Sequence, residues 1–158
     1  MKNLPRSTFV LCLVLSGFFM SSAAQAAGVV EVSLGKGFTL KPDRDATSTN
    51  IMVAPGFGIG EVVRLELGIL TEFGDGNGDF DFQFRPMLVL DPPILPLYGR
   101  LIVAIIEILN ETEIAYGGAI GIGGSLGGVG VFGEIGILPV GEAHIIIAEG
   151  RAGVFFSF

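Results

Sequence analysis

The 158-residue chain is long enough for one domain and no more. Half of its residues are hydrophobic, 25 are glycine, and 16 acidic residues stand against 9 basic ones, a balance that excludes nucleic acid as a partner. Mean hydropathy is +0.69. Past the N-terminus, however, glycine or a charge interrupts every apolar run short of the ~18 residues of a membrane helix, which leaves a buried β core or a membrane barrel.

Residues 1–26 read as a cleaved export signal. Lys2 and Arg6 form a basic start, Phe9 to Met20 an apolar stretch, and Ala24-Gln25-Ala26 a small-residue cleavage site. Cys12 lies inside the apolar stretch, so the mature domain, residues 27–158, has no cysteine for a disulfide or a thiolate metal site. Losing Lys2 and Arg6 leaves 7 basic and 16 acidic residues, a net charge of −9.

The mature sequence divides into eight segments with the period-2 alternation of strands. In the first, Val29 to Leu40, the residues Val30, Val32, Leu34, Phe38 and Leu40 oppose Glu31, Ser33, Gly35, Gly37 and Thr39. The longest connection follows, from Lys41 to Asn50. The second, Asn50 to Gly60, sets Ile51, Val53, Phe57 and Ile59 against Met52, Ala54, Gly56 and Gly58, with Pro55 out of place in a ladder. In the third, Val62 to Phe73, Val63, Leu65, Leu67 and Ile69 oppose Arg64, Glu66, Gly68 and Glu72.

After the turn GDGNG the fourth, Asp79 to Leu90, places Phe80, Phe82, Phe84, Leu88 and Leu90 against Asp79, Asp81, Gln83, Arg85 and Met87. The fifth, Leu97 to Leu109, follows DPPILP and is the least legible, because LIVAIIEIL is apolar in both phases. The sixth, Thr112 to Ser125, alternates Ile114, Tyr116, Ile120 and Ile122 with Ala115, Gly117, Ala119, Gly121 and Gly123. The seventh, Val129 to Leu138, sets Val131, Ile135 and Ile137 against Gly130, Phe132, Glu134 and Gly136, and Pro139 to Glu142 is expected to turn. The eighth, Ala143 to Phe158, ends with Ala152, Val154, Phe156 and Phe158 on one face and Arg151, Gly153, Phe155 and Ser157 on the other.

Segments of this length fit the ~9–11 residues of a tilted membrane strand better than the five or six usual in soluble sheets. An export signal, eight amphipathic strands and a strand ending on Phe158 together resemble the small eight-stranded bacterial outer-membrane β-barrel family of the OmpA/OmpX type. The resemblance covers the whole mature chain and is one of pattern. It implies an all-β, antiparallel up-and-down transmembrane barrel in the outer membrane of a Gram-negative bacterium. It implies a role as a structural scaffold or narrow pore, and a sorting signal in Val154, Phe156 and Phe158. The partners implied are outer-membrane lipid and lipopolysaccharide, together with the barrel-insertion machinery and periplasmic chaperones during assembly, with the barrel itself a monomer. Without tryptophan the interfacial aromatic belt rests on phenylalanine, and the short connections argue against an adhesin.

The small and charged face becomes the lumen. Glu31, Arg64, Glu66, Arg85, Glu134, Glu149 and Arg151 are assigned there, because on a lipid face each would cost up to a few kcal/mol. Neighbouring strands then predict an ion-pair network with Arg85 paired to Glu66 or Glu149 and Arg151 paired to Glu134. Lining by glycine and alanine lets a tight barrel close, or leaves a cavity for water or a slim ligand.

No enzyme, cofactor or metal is read from the residues. Lipid-A-modifying barrels pair serine with histidine, but the sole histidine, His144, has no serine near it in sequence, and Ser125 or Ser157 would have to approach from a strand end. Asp75, Asn77, Asp79 and Asp81 have the spacing of a calcium loop, yet Pro86 stands where the distal glutamate belongs, so an acidic hairpin turn is the simpler reading. The alternatives to the structural barrel are a lipid-A-modifying barrel enzyme and a secreted β-sandwich binding protein.

Overall fold

The computed structural model describes residues 28–41, 46–60, 62–73, 82–92, 95–106, 113–140 and 145–158. The expected export signal over residues 1–26, the turn expected from Asp75 to Asp81 and His144 lie outside the described residues. Eight strands follow one another: β1 (Gly28–Lys41), β2 (Ala46–Ile59), β3 (Val63–Phe73), β4 (Phe82–Leu90), β5 (Leu97–Ile106), β6 (Glu113–Leu126), β7 (Val129–Val140) and β8 (Ile145–Ser157). Each pairs antiparallel with the next, and β8 pairs with β1, so the sheet is a closed up-and-down barrel without an edge. Gly28 and Phe158 exchange backbone hydrogen bonds of 2.8 and 2.9 Å at the end of that seam.

The alternation sorts the side chains as a barrel in lipid requires. Large apolar residues such as Leu34, Ile69, Leu101, Ile120, Ile135 and Val154 are exposed on the outer wall. Glu31, Glu66, Arg85, Arg100, Glu134 and Arg151 are buried inside. β5 has its phase set by Tyr98, Arg100 and Ala104, all buried, with Leu97 and Leu101 outside. Among the residues whose side chains are described, one charge falls on the outer wall, that of Lys36 on β1.

Two strand limits differ from the sequence reading by more than one described residue. β2 starts at Ala46 rather than Asn50, so the connection expected from Lys41 to Asn50 shrinks to 42–45. There the ladder to β1 continues through Thr49–Lys36 to Ala46–Phe38, with β-branched threonines suited to a strand. β7 runs on through Pro139 and Val140, which were expected to turn, and pairs them with Ile146 and Ile145. Its ladder to β6 ends at Gly118–Ile137, so beyond that point β7 needs donors on one side only. The other strand prolines also coincide with gaps. The β2–β3 pairing skips Ala54 and Pro55, and the β4–β5 pairing skips Arg85 and Pro86.

Tight turns join the strands at the end that holds the start of β1 and the end of β8. Gly127 and Gly128 (φ 62° and 83°) make the two-residue link from β6 to β7, a geometry that only residues tolerant of positive φ adopt cheaply. Inside, small residues face large ones. A Cβ on Gly121 would overlap the Tyr98 ring, and one on Gly130 the Phe155 ring. Three apolar clusters fill the bore between the charges: Met52, Ala54, Leu70 and Met87; Ala104, Ala115 and Leu138; and Val89, Tyr98 and Phe132.

This fit makes lumen glycines sensitive and outer glycines tolerant. Gly121→Ala should destabilise the barrel by about 1–3 kcal/mol through overpacking against Tyr98. Gly99→Ala, whose new Cβ meets nothing within 4 Å, should stay within about 0.5 kcal/mol of the parent. Urea unfolding in lipid vesicles, followed by the mobility shift of unboiled samples on gels, measures both.

Candidate functional site

Charges inside a narrow barrel lose water and must find partners within it. The position of each strand decides which partners are in reach. At the centre is Arg100 on β5, its side chain fully buried. Its Nη2 lies 2.7 Å from Glu31 Oε2 on β1 and its Nη1 3.2 Å from Glu31 Oε1, a two-pronged bond across the bore. The same guanidinium is 3.4 Å from Glu66 on β3 and 3.4 Å from Glu134 on β7. One cation therefore serves carboxylates from three strands, none of them adjacent to β5. The rings of Tyr98 and Phe132 flank it, their centroids 5.6 and 5.8 Å from Cζ.

Towards the end that holds Gly28 and Phe158, Arg64 on β3 donates to Glu66 (3.1 Å) and to Asp91 beyond β4 (2.9 Å), and lies over the Phe155 ring. The Tyr98 hydroxyl donates to Glu134 at 2.8 Å. Towards the other end, Arg151 on β8 bridges the two halves. Its Nε is 3.8 Å from Glu134, its Nη1 donates to Ser33, and its Nη2 donates to Asn50 and to Glu149. Glu149 also accepts from Arg85 Nη1 at 2.6 Å and from Asn50 at 3.1 Å. Gln83 accepts from Arg85 and donates to Glu72.

The result is a continuous polar chain from Glu72 near one end of the bore to Asp91 at the other. Within it four arginines (Arg64, Arg85, Arg100, Arg151) meet four glutamates (Glu31, Glu66, Glu134, Glu149). Glu72 and Asp91, at its two ends, add two further acids.

Of the seven charges assigned to the lumen from the sequence, Glu31, Glu66, Arg85, Glu134 and Arg151 are buried and Arg64 and Glu149 half-buried. Arg85 meets Glu149, while Glu66, the other partner considered for it, meets Arg64 and Arg100 instead. The sequence reading missed Arg100, the residue with most partners. The signal was present: a charge in the middle of LYGRLIVAII could not face lipid, and it alone fixes the phase of an otherwise two-sided segment. Val154, Phe156 and Phe158 lie on the outer face of β8, all exposed.

At the end that holds Gly28 and Phe158 the bore opens as a shallow mouth of about 130 Å³ among Arg64, Asp91, Tyr98, Ser125 and Phe155, below the ~300–1,000 Å³ of small-molecule clefts. Among the described residues no three histidines, cysteines or acids gather as a metal site would need. Ser125 and Ser157 sit at the strand ends beside this mouth. His144 precedes β8, which starts at the opposite end.

Solved structures share the architecture. Neisserial surface protein A superposes with a TM-score of 0.55 at 12% identity, over 84% of this chain and 97% of that one. The N-terminal β-barrel domain of Pseudomonas aeruginosa OprF gives 0.53 at 13% identity, over 85% and 100%. A de novo designed transmembrane β-barrel gives 0.51 at 10% identity, over 86% and 100%. The likeness is one of fold: the chain is a small eight-stranded barrel like these. No protein-family model and no curated protein sequence matches it.

The central position of Arg100 has an energetic consequence. Arg100→Met leaves Glu31 without its two-pronged partner and Glu66 and Glu134 each short of one cation, and should cost about 3–5 kcal/mol. Adding Glu31→Gln to that variant should recover part of the loss, because it removes the stranded charge. Urea titrations of both variants in vesicles give the comparison.

Proposed function

We propose that this chain is an integral outer-membrane barrel acting as a structural scaffold, with its bore closed at rest by its own charged side chains. The observation that carries the reading is Arg100, fully buried in mid-bore and within 3.4 Å of carboxylates from three strands. A side chain tied in this way occupies the space an open channel needs. The charge-free outer wall apart from Lys36, the export-signal pattern of residues 1–26 and the fold shared with a transmembrane design support a membrane location.

The reading assigns no enzymatic activity, since the serines considered as nucleophiles and the strand that follows His144 begin at opposite ends of the barrel. Lipid and lipopolysaccharide surround the outer wall. Barrel-insertion machinery and periplasmic chaperones are the partners during assembly, with Val154, Phe156 and Phe158 as the signal they read. The folded barrel is a monomer.

Cell fractionation tests the location: the chain should enter the outer-membrane fraction and shift in gel mobility on boiling. Recovery from the soluble periplasm without a shift would refute the proposal. The state of the bore is read in planar bilayers. The parent should conduct poorly, and Arg85→Ala and Arg151→Ala, each of which releases Glu149 from one partner, should conduct more. If neither variant exceeds the parent, the charges do not close the bore. Deleting Phe158 removes both its ring and the paired hydrogen bonds to Gly28. It should lower outer-membrane levels while export across the inner membrane continues; unchanged levels would remove the role assigned to this row.

A further inference from the structure

Among the strand residues whose side chains are described, the outer wall carries one charged side chain. On β1 the outward row reads Val30, Val32, Leu34, Lys36, Phe38, Leu40, and Lys36 is exposed. No hydrogen bond or ion pair joins its ammonium to another described residue. Two apolar positions, Phe38 and Leu40, continue the lipid-facing row beyond it. A lysine in such a row is costly unless its head reaches the interface or meets an anion there.

Beside Lys36 the wall is hollow. Its cross-strand neighbour on β8 is Gly150, and the next outward pair is Phe38–Ala148. From there an open groove of about 860 Å³ runs over Gly118 and Gly99 to the edge of β4. Packing within the barrel does not call for two of these glycines: a Cβ at Gly99 or Gly150 would touch nothing within 4 Å, whereas one at Gly118 would come within 3.2 Å of the Arg100 carbonyl oxygen. Glycine weakens a strand, and inside this barrel it sits where a ring or a long side chain needs the space. Outside, the same residue leaves room for something that is not part of the chain. The volume lies in the range of about 300–1,000 Å³ that ligand clefts occupy.

We propose that this groove and Lys36 form a site for one membrane lipid with an anionic phosphate headgroup, its acyl chain lying over Gly150 and Gly118 and its phosphate paired with the Lys36 ammonium. The inference rests on the membrane-barrel reading and specifies one lipid among those around the wall. A second copy of the chain is the poorer occupant. No acidic side chain faces outward from any described strand, so the described strands of a partner barrel would bring nothing to neutralise Lys36.

The test uses the mature barrel refolded in detergent and offered equimolar phosphatidylglycerol and phosphatidylcholine, with bound lipid read by native mass spectrometry. The parent should retain phosphatidylglycerol preferentially. Lys36→Gln should reduce that preference about fivefold, the factor one lysine contributes near an anionic lipid surface, and Lys36→Arg should keep it. Gly150→Leu, which fills the groove, should reduce retention of both lipids while the gel mobility shift stays intact. Equal retention of the two lipids by the folded parent, or an unchanged preference in Lys36→Gln, overturns the site. So does a parent dimer that Gly150→Leu converts to monomer, which would assign the groove to a second copy. A chain that shows no mobility shift in any lipid or detergent fails earlier, and takes the membrane reading down with the site.

Discussion

Closure of the sheet is the constraint from which the other features follow. Once β8 pairs with β1, the edge donors and acceptors that an open sheet would leave to water are satisfied by the chain itself. Closure also fixes a narrow interior, and eight strands leave a bore only wide enough for side chains. Every inward position must then be chosen against the residue across from it. Gly121 is small because Tyr98 is large, and Gly130 because Phe155 is large. The prolines fit the same logic, since Pro55, Pro86 and Pro139 stand where a pairing is skipped or has already ended.

The interior is charged because the exterior cannot be. An ionised group that turns inward escapes lipid but still loses much of its water, and only pairing offsets that loss. The lumen meets the requirement with four arginines, each paired to at least one glutamate. Arginine suits the task, since one planar guanidinium can reach carboxylates on several strands at once. Arg100 does so from β5 and Arg151 from β8, and Glu134 joins their two groups. Such a network adds little net stability for its size. What it contributes is registry: a slip of one residue in any strand would turn its charge into the wall.

The outer wall follows a simpler rule and departs from it at one place. Ile, Leu, Val and Phe cover it, while Lys36 and the glycines around it leave a hollow with a charge at its border. Among the strand charges whose side chains are described, that of Lys36 is the one that faces outward, and the packing of the barrel gives no account of Gly99 and Gly150 beside the hollow. A requirement from outside the chain supplies one.

How far the sequence went depended on whether one face of a segment was distinguishable from the other. Where apolar and polar residues alternate cleanly, as in β1, β3, β4 and β8, period alone fixed the strand, the inward face and the location of Glu31, Glu66, Arg85 and Arg151. In β5 a run of Ile, Leu and Val fits either face, so the period was silent and Arg100 went unnoticed although its charge was the one informative mark. Strand ends were uncertain for a related reason: threonine and proline do not by themselves say whether a neighbour is still there to pair with, as Ala46 and Pro139 illustrate. Pairing across the bore could be read only in part: Arg85 with Glu149 and Arg151 with Glu134 were among the pairs expected, but Glu66 stood as an equal alternative for Arg85 and the partners of Arg100 were not read. Which arginine meets which glutamate depends on the register and stagger of eight strands, and Arg85 has carboxylates on both β3 and β8 within plausible reach until that stagger is known. The sequence by itself thus determined which residues turn inward, because burying a charge in lipid is prohibitive. Only the tertiary structure decided which of them touch, because contact across a closed barrel depends on distances that no single strand contains.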